Sequence, residues 1–246
     1  MDKPKIVIEI KDLKKSYGEN HVLNGFNMHL VEGENLVIMG KSGSGKSVMI
    51  KCLIGLEEAD SGSIVIMDKD IGKLTHDELD ELRTEIGFLF QGSALYDSMT
   101  IRENLEFPLR RHTKKFGIIK DTTPLVMEAL ENVGLAHTID LMPEELSGGM
   151  KRRIALARTL ILMPKIILYD EPTTGLDPIT GKEIILLMQS IQKKYNTSSI
   201  IITHDVDCAR AISNRMILLV DGINYAEGTF KELIAEKDPK VQAFFK

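Results

Sequence analysis

The sequence lacks the features of secreted, membrane-spanning and nucleic-acid-binding proteins. Its two cysteines, Cys52 and Cys208, lie in patterns typical of apolar helix faces and lack metal-site spacing, so we expect no disulfide or zinc site. Apolar runs such as MILLV are far too short to cross a bilayer, and the mixed-charge N-terminus does not resemble a signal peptide. A net charge of −5 argues against a general nucleic-acid surface. We therefore expect a cytosolic protein that reaches any membrane through a partner.

The chain has the length and composition of a globular protein with one large domain, or a main domain with a smaller lobe. Hydrophobic residues make up 43% and charged residues 27% of the 246, enough to bury a core. Apolar runs predict strands, and periodic patterns between the later runs predict helices. The predicted strands are IVIEI, NLVIM, SIVIM, IGFLF, KIILYD, SSIIIT and MILLV, and the predicted helices are 47–56, 77–83, 123–133, 149–162, 178–194 and 205–212.

The order of these elements predicts an α/β fold. Near-continuous Ile, Leu and Val strands between helices are typical of a parallel sheet covered on both faces. Residues 6–39 instead carry short β patterns with turn signals, which indicates an antiparallel β layer. Residues 100–141 are mainly helical and predict a helical lobe inserted into the core.

The stretch GKSGSGKS, residues 40–47, fits the phosphate-binding pattern G-x-x-x-x-G-K-[ST] at every position. It follows a predicted strand and precedes a predicted helix, as a P-loop requires, whereas a plain Gly/Ser turn requires neither. Glycines allow successive N–H groups to converge on a phosphate at a helix N-terminus. Lys46 is then expected at the β- and γ-phosphates and Ser47 at Mg²⁺.

Two further segments complete a site for hydrolysis of a nucleoside triphosphate. Asp170 and Glu171 end an apolar strand, where Asp170 can hold Mg²⁺ through water and Glu171 can polarise the attacking water. Ser147-Gly148-Gly149 precedes an amphipathic helix and predicts a second phosphate-compatible helix N-terminus. Because one nucleotide does not need two such sites from one chain, we predict a head-to-tail dimer closed by ATP.

Over nearly its full length the sequence resembles the ATP-binding subunits of ABC transporters. Residues 40–47 match Walker A, 146–150 the signature and 166–171 Walker B, while Gln91 falls at the Q-loop, 175–177 at the D-loop, His204 at the switch histidine and Tyr17 at the adenine-stacking aromatic. The resemblance implies a P-loop NTPase (ABC ATPase) core with an N-terminal antiparallel β layer and an inserted helical subdomain. It implies one nucleotide-binding domain, residues 1–246, with about 99–159 as the helical subdomain carrying the signature and about 1–98 and 160–246 as the β layer plus RecA-like core.

The resemblance also implies ATP and Mg²⁺ as cofactors and assigns the site residues. Gln91 is expected to link Mg²⁺ and the water to the permease contact, and His204 to contact the γ-phosphate. The catalytic set is Glu171, His204 and Gln91; the Mg²⁺ set is Ser47, Gln91 and Asp170; the nucleotide set is Tyr17, Gly40, Lys41, Ser42, Gly43, Ser44, Gly45, Lys46, Ser47, Val48, Ser147, Gly148, Gly149 and Asp177.

Two departures from the family pattern narrow the type of transporter. The signature has Met150 where Gln is usual, and the D-loop begins Thr174-Gly175 where Ser-Ala is usual. Methionine cannot hydrogen-bond a ribose, which bears on nucleotide affinity and dimer strength. Met150, together with QGSALYDSMTIRENLEFPLRR from Gln91 onward, resembles the Mla-type phospholipid-transport ATPases. Within that segment we expect Leu95 and Tyr96 to line a groove for a permease helix.

The predicted function is therefore an ATPase subunit that powers lipid transport between bacterial membranes. The expected partners are a second copy of the chain in the ATP-bound state, two transmembrane permease subunits and a lipid-binding accessory protein, at the cytoplasmic face of the inner membrane, with no nucleic acid. Alternatives are the ATPase of a polar-solute importer or of a lipoprotein-release system, or a soluble ABC ATPase for DNA repair or translation. A non-catalytic regulator would be expected to lack Glu171 or His204, and both are present.

Overall fold

The structure, a computed structural model, describes residues 4–245 and, for Lys114 and Phe116, the backbone alone. Residues 1–3 and 246 of the predicted single domain lie outside the described residues. In chain order the elements are β1 (Ile6–Tyr17), β2 (Asn20–Val31), β3 (Asn35–Met39), α1 (Lys46–Leu53), β4 (Ser61–Ile66), β5 (Lys69–Asp70), α2 (His76–Arg83), β6 (Ile86–Leu89), α3 (Ile101–Arg111), α4 (Thr113–Phe116), α5 (Thr123–Glu131), α6 (Gly148–Leu160), β7 (Ile166–Asp170), α7 (Pro178–Tyr195), β8 (Ser198–Ile202), α8 (Val206–Ile212), β9 (Arg215–Val220), β10 (Ile223–Gly228), α9 (Phe230–Ala235) and α10 (Pro239–Gln242).

Within the described residues the chain forms two compact units, 4–80 with 197–245, and 81–196. The α/β fold class predicted from the sequence is confirmed. The helical subdomain predicted at about 99–159 falls inside the second unit, which also contains β6, β7 and α7. Its exact limits stay a prediction. Among residues 4–245, none of the helices combines the length and apolar character needed to cross a bilayer.

The antiparallel β layer predicted near the N-terminus is present in the first unit. Its strands are ordered β2-β1-β4-β5, and β1 pairs antiparallel with both β2 and β4. Alternate apolar side chains of the two long strands point to one buried face, as in the cross-strand pair Ile10 and Met28. This alternation is what one-sided burial of an antiparallel sheet requires.

The first unit also contains the parallel strands that lead into the phosphate-binding region. Strand β3 pairs parallel with β8 on one side and with β9 on the other, and β10 pairs antiparallel with β9. Every residue of β3 and β8 is buried, which explains the apolar runs 36–39 and 200–202 within them. Because β3 and β8 are parallel neighbours, the segments that follow them leave the sheet at the same edge.

The second unit combines one parallel strand pair with a helical core. Strand β6 pairs parallel with β7, with Phe88 opposite Leu168 and Leu89 opposite Tyr169. Helices α3, α5 and α6 pack their apolar faces together, and the buried members of this core are Ile101, Leu105, Leu109, Val126, Ala129, Leu130, Val133, Leu135, Leu146, Ile154, Ala157 and Ile161. The helical character expected for this stretch is therefore present.

Helix α1 ends earlier than the sequence pattern predicted. The prediction ran to Leu56, but the helix stops at Leu53 because Gly55 adopts φ 65°. The N–H of Gly55 then donates to the carbonyl of Cys52 at 3.0 Å, and that of Leu56 donates to Lys51 at 2.8 Å. These two bonds form a glycine C-cap that satisfies the last carbonyls of the helix.

Strand β10 is absent from the predicted elements because its sequence is polar and half-buried. The local signal for it was the dipeptide Asp221-Gly222, whose φ values of 51° and 77° suit the two-residue turn of a hairpin. The turn also contacts β2, since the carbonyl of Gly222 accepts from the N–H of Asn24 at 2.9 Å and that of Asp221 accepts from the Asn24 side chain at 2.8 Å.

We expect Gly222→Ala to lower the free energy of unfolding by about 1–3 kcal/mol. The new Cβ would lie 2.5 Å from the carbonyl oxygen of Val22 in a left-handed residue. Gly18→Ala is the matched control, because Gly18 has φ 60° and, its two chain neighbours aside, no atom of residues 4–245 comes within 4 Å of the Cβ that alanine would add there. Urea unfolding followed by circular dichroism should show the larger loss for Gly222→Ala. Equal losses would contradict the importance of this close approach.

Candidate functional site

The P-loop connects β3 to α1 and follows a path that its glycines permit. A Cβ on Gly40 would lie 2.4 Å from Ser44 Oγ, and one on Gly45 would lie 3.0 Å from the Val22 carbonyl oxygen. Gly43 and Gly45 have φ values of 78° and 102°, a region that favours glycine. Residues 41–43 are exposed. The loop therefore offers main chain rather than side chains to a ligand at the N-terminus of α1.

Lys46 is buried, and its ammonium group is bonded to the main chain of the loop. Its Nζ donates to the carbonyl of Gly40 at 2.7 Å and to that of Lys41 at 3.0 Å. These contacts hold a positive charge at the loop. The next residue, Ser47, is exposed in the first turn of α1, and Val48 follows it in the same turn.

The arrangement fits a phosphate group. Within residues 4–245, Ser44 Oγ is a buried hydroxyl without a hydrogen-bond partner, and a phosphate oxygen would supply one. Residues 41–44 also line an open cleft of about 800 Å³, bounded by Val22, Asp221 and Phe244. Ligand sites of nucleotide size have comparable volumes.

Two other site residues predicted in the first unit, His204 and Tyr17, lie at or near the ends of two different strands. His204 is exposed and comes two residues after β8, so it leaves the sheet at the edge from which the P-loop leaves β3. Tyr17 ends β1, where 47% of its surface is exposed and its hydroxyl donates to the carboxylate of Glu57. The Nζ of Lys15 lies 5.4 Å from the centre of its ring. The ring is therefore held in place while part of it stays accessible for stacking.

The second unit places Gln91, Asp170 and Glu171 at one edge of its strand pair. Gln91 comes two residues after β6, Asp170 ends β7 and Glu171 follows it. Because β6 and β7 run parallel, these residues lie at the same edge. Gln91 is exposed, and the two acids are partly exposed. Among the residues that the structure describes, no three acidic, His or Cys side chains form a ready-made metal site.

Glu171 has a strained backbone and a defined side-chain contact. Its φ of 50° is unusual for a residue other than glycine, and such strain is concentrated at functional sites. Thr174 Oγ1 donates to the Glu171 carboxylate at 3.0 Å, and the N–H of Thr174 donates to the Glu171 carbonyl at 3.2 Å. The turn formed by residues 171–174 thus holds the carboxylate in one position.

The signature segment forms the N-terminus of α6, as predicted. Ser147 Oγ accepts from the N–H of Met150 at 3.2 Å and caps the helix, while Ser147 and Gly148 are exposed. A Cβ on Gly149 would lie 2.6 Å from Thr180 Cγ2, so only glycine fits beside the first turn of α7. Met150 packs against the helical core, which accounts for an apolar residue at this position.

Asp177 caps helix α7. Its carboxylate accepts from the N–H groups of Ile179 and Thr180, both at 3.0 Å, and from the Thr180 hydroxyl at 2.6 Å. Bonds from the Thr180 side chain and main chain lower the pKa of Asp177 below its usual value. The cap is a structural role, and the predicted contact of Asp177 with a nucleotide stays a prediction.

The sequence analysis did not identify Arg152, a buried arginine on α6 with 4% of its surface exposed. Its Nη1 donates to the carbonyl of Phe90 at 2.7 Å, and its Nη2 donates to that of Thr174 at 3.3 Å. Burial lowers the pKa of the guanidinium, while the negative charge of Asp170 raises it. The one indication of this role in the sequence is an arginine on the helix that follows Ser147.

Comparison with known proteins decides the family. The sequence profile described as ABC transporter matches residues 23–174, which is more than half of the chain and includes the P-loop, Gln91, the signature and the acidic pair. The chain belongs to the ABC transporter family. Proteins with this cassette are ATPases, so the chain is an ATP-binding ABC ATPase subunit.

The relatives of this ABC ATPase carry different cargoes. It is 40% identical to the methionine import ATP-binding protein MetN of Clostridium tetani, over 96% of this chain and 73% of MetN. It is 37% identical to the intermembrane phospholipid transport system ATP-binding protein MlaF of Haemophilus influenzae, over 98% of this chain and 90% of MlaF. The ATPase assignment is therefore shared, whereas the cargo differs between relatives.

A solved structure supports the fold of this ABC ATPase. The ATP-binding cassette MJ0796, in a dimeric post-hydrolysis state bound to ADP and Pi, superposes with a TM-score of 0.82. The two chains are 34% identical, and the match covers 91% of this chain and 98% of MJ0796. The predicted ABC ATPase fold is confirmed.

We expect Lys46→Ala to weaken ATP binding at least tenfold, because charge-assisted hydrogen bonds to the phosphates contribute roughly 1.5–3 kcal/mol. Lys231→Ala is the control, since Lys231 is an exposed lysine of α9 outside the predicted site. Isothermal calorimetry measures the affinity, and a thermal melt shows that each variant is folded. An affinity for Lys46→Ala equal to that of Lys231→Ala would contradict the role of this lysine.

Proposed function

We propose that this ABC ATPase powers the movement of phospholipid or a related lipid between bacterial membranes. The observation that carries the proposal is its similarity to MlaF along nearly the whole of both chains. Met150 at the signature and the segment from Gln91 to Arg111 also resemble the phospholipid-transport type. In this structure Met150 is used for packing against the helical core.

The second candidate is the ATPase of an importer for a polar solute. The observation that favours it is the 40% identity with MetN of Clostridium tetani over 96% of this chain. The nucleotide chemistry is the same for both candidates. They differ in cargo and in the membrane partners that present it.

The proposed nucleotide site assigns a role to each predicted residue. Residues 40–48 bind the phosphates with main-chain N–H groups and the ammonium of Lys46, Tyr17 stacks on the adenine and His204 contacts the γ-phosphate. Ser47, Asp170 and Gln91 would hold Mg²⁺, which supplies charge neutralisation at the phosphates. The absence of a ready-made metal cluster in residues 4–245 is consistent with a cation bound together with phosphate oxygens.

Glu171 is the proposed general base. Its carboxylate accepts the proton of the attacking water as the water adds to the γ-phosphorus, and the leaving group is ADP. The contact with Thr174 keeps the carboxylate oriented. This role needs an ionised side chain, whereas phosphate binding does not depend on it.

We further propose that ATP closes a homodimer in which each signature meets the nucleotide of the partner. Ser147 and Gly148 are exposed at the N-terminus of α6, so their main-chain N–H groups are accessible to an anion. Asp177 would contact the nucleotide of the partner near the same helix end. The dimeric state of MJ0796 with ADP and Pi supports this arrangement.

The proposed membrane partners are two permease subunits and a lipid-binding accessory protein, with this chain at the cytoplasmic face of the inner membrane. A groove of about 140 Å³ in the second unit is lined by Phe88, Pro108, Arg158 and Leu162, which is room for a side chain of a permease segment but not for a whole helix. The ring of Tyr96 is 43% exposed and lies 4.9 Å from that of Phe107.

Leu95, which is also expected in the groove for the permease helix, is half-buried and packs against the helical core. Its neighbour Tyr96 is more exposed. Tyr96 remains the proposed contact for the permease.

We expect Glu171→Gln to lower the rate of ATP hydrolysis by about 10²–10⁴-fold while ATP binding is kept, because the amide cannot accept the proton. The closed dimer should live longer, which size-exclusion chromatography with Mg-ATP would detect. Glu128→Gln on the exposed surface of α5 is the control. A parental hydrolysis rate for Glu171→Gln would remove Glu171 from the role of base.

We expect Tyr96→Ser to reduce copurification of the chain with its permease while ATP binding and melting temperature stay at the parental level. The ring offers accessible apolar surface and its removal leaves the main-chain contacts of the segment in place. Leu56→Ser is the control, because Leu56 is also an exposed apolar side chain, 60% exposed, in the first unit. Parental stoichiometry with Tyr96→Ser would contradict the docking site.

The cargo is tested on the complex purified from membranes in mild detergent and reconstituted in phospholipid vesicles. The proposal expects phospholipid to be extracted from the complex and fluorescent phospholipid to move on addition of Mg-ATP. Transport or ATPase stimulation by free methionine, with no phospholipid movement, would instead establish the importer.

A further inference from the structure

Three segments that surround the proposed general base are linked by one side chain. Arg152 lies on α6, six residues after Leu146, and reaches the carbonyl of Phe90 immediately before Gln91. The same guanidinium reaches the carbonyl of Thr174 in the turn that follows Asp170. The guanidinium group of Arg152 therefore links the helix that carries the signature to the loop that carries Gln91 and to the turn that carries Glu171.

The placement of this charge is costly and thus needs a reason. Arg152 is 4% exposed, and its Nε is a buried donor with no hydrogen-bond partner among residues 4–245. Burying a charged group that is incompletely paired is unfavourable. A methionine of similar length would fill the space without this cost. Arginine supplies two N–H donor groups at a fixed separation, whereas lysine has one ammonium nitrogen and methionine has no donor.

Thr174 extends the link from Arg152 to the base. Its carbonyl accepts from Arg152, and its hydroxyl donates to the Glu171 carboxylate at 3.0 Å. Glu171 itself has φ 50° and its carbonyl accepts from the N–H of Thr174. A movement of α6 that displaces Arg152 would therefore move Thr174, and with it the carboxylate.

We propose that Thr174 and Arg152 are positioning residues, through which the signature helix sets the orientation of the Glu171 carboxylate. This inference rests on the proposed role of Glu171 as general base. Engagement of the signature by a nucleotide would hold α6 and therefore align the base. When α6 shifts, the base loses its alignment and ATP is kept intact.

The proposed relay, from Arg152 through Thr174 to Glu171, has two measurable consequences besides a lower rate. Because neither positioning residue contacts ATP in the proposed site, kcat should fall while KM stays near the parental value. A substitution that keeps the hydroxyl of residue 174 should keep the parental kcat.

The test compares Thr174→Val, which removes the hydroxyl and keeps the shape, with Thr174→Ser, which keeps the hydroxyl. We expect Thr174→Val to lower kcat roughly tenfold or more at an unchanged KM, since a hydrogen bond to a charged group is lost. Thr174→Ser should keep the parental kcat. Ser190→Ala, which removes a hydroxyl from the exposed face of α7, is the matched control.

Arg152→Met tests the second step of the relay. It should lower kcat with an unchanged KM, and its effect should not add to that of Thr174→Val because both act through one carboxylate. In the Glu171→Gln background neither substitution should lower the residual rate further. Fully additive effects, or further losses in that background, would overturn the relay.

The outcomes separate this inference from the proposed function. A parental rate for Glu171→Gln would remove the base itself, whereas a strong loss there combined with an unchanged kcat for Thr174→Val would overturn the relay alone. If a thermal melt shows Thr174→Val to be unfolded, Thr174→Ala and Thr174→Ser decide the matter. Equal kcat values for that pair would overturn the proposal, and a selective loss in Thr174→Ala would support it.

Discussion

Parallel pairing of buried strands decides where the chemical groups of this protein lie. In the first unit β3 and β8 run side by side, so the P-loop and His204 leave the sheet at one edge. In the second unit β6 and β7 run side by side, so Gln91 and Glu171 leave at one edge. Parallel strands must be buried on both faces, and the apolar sequences of β3 and β8 reflect this requirement. The polar residues are thus confined to the ends of strands, where ligands of open α/β sheets bind.

Main-chain groups at helix ends supply most of the capacity to bind anions. The glycines before α1 and the Ser-Gly-Gly before α6 present N–H groups without large side chains. Charged side chains then add what main chain cannot: Lys46 brings a positive charge to the P-loop, and Arg152 connects α6 to two other loops. Both are buried and bonded to carbonyl oxygens. In the proposed mechanism, Lys46 serves ATP affinity and Arg152 serves the positioning of the base.

Most helices and the apolar strands were predictable because their patterns are local. The helices predicted from periodic patterns at the positions of α5, α6, α7 and α8 agree with the structure to within two residues at every end. The misses have physical causes. The end of α1 depends on the left-handed Gly55, and β10 is a polar edge strand whose turn dipeptide was the only local signal. Leu95 and Tyr96 are neighbours in sequence, so no pattern could show that one packs on the helical core and the other is exposed.

The sequence alone determined the nucleotide chemistry and the family, because a P-loop, an acidic pair and a Gly-rich signature each impose local backbone requirements that only certain residues meet. Only the tertiary structure decided how these segments support one another. The contact of Arg152 with Phe90 spans 62 residues and that with Thr174 spans 22, and the Gly149–Thr180 approach spans 31. Such contacts depend on how helices pack on strands, and this packing cannot be inferred from residue type and spacing alone. The packing of Met150 became visible for the same reason.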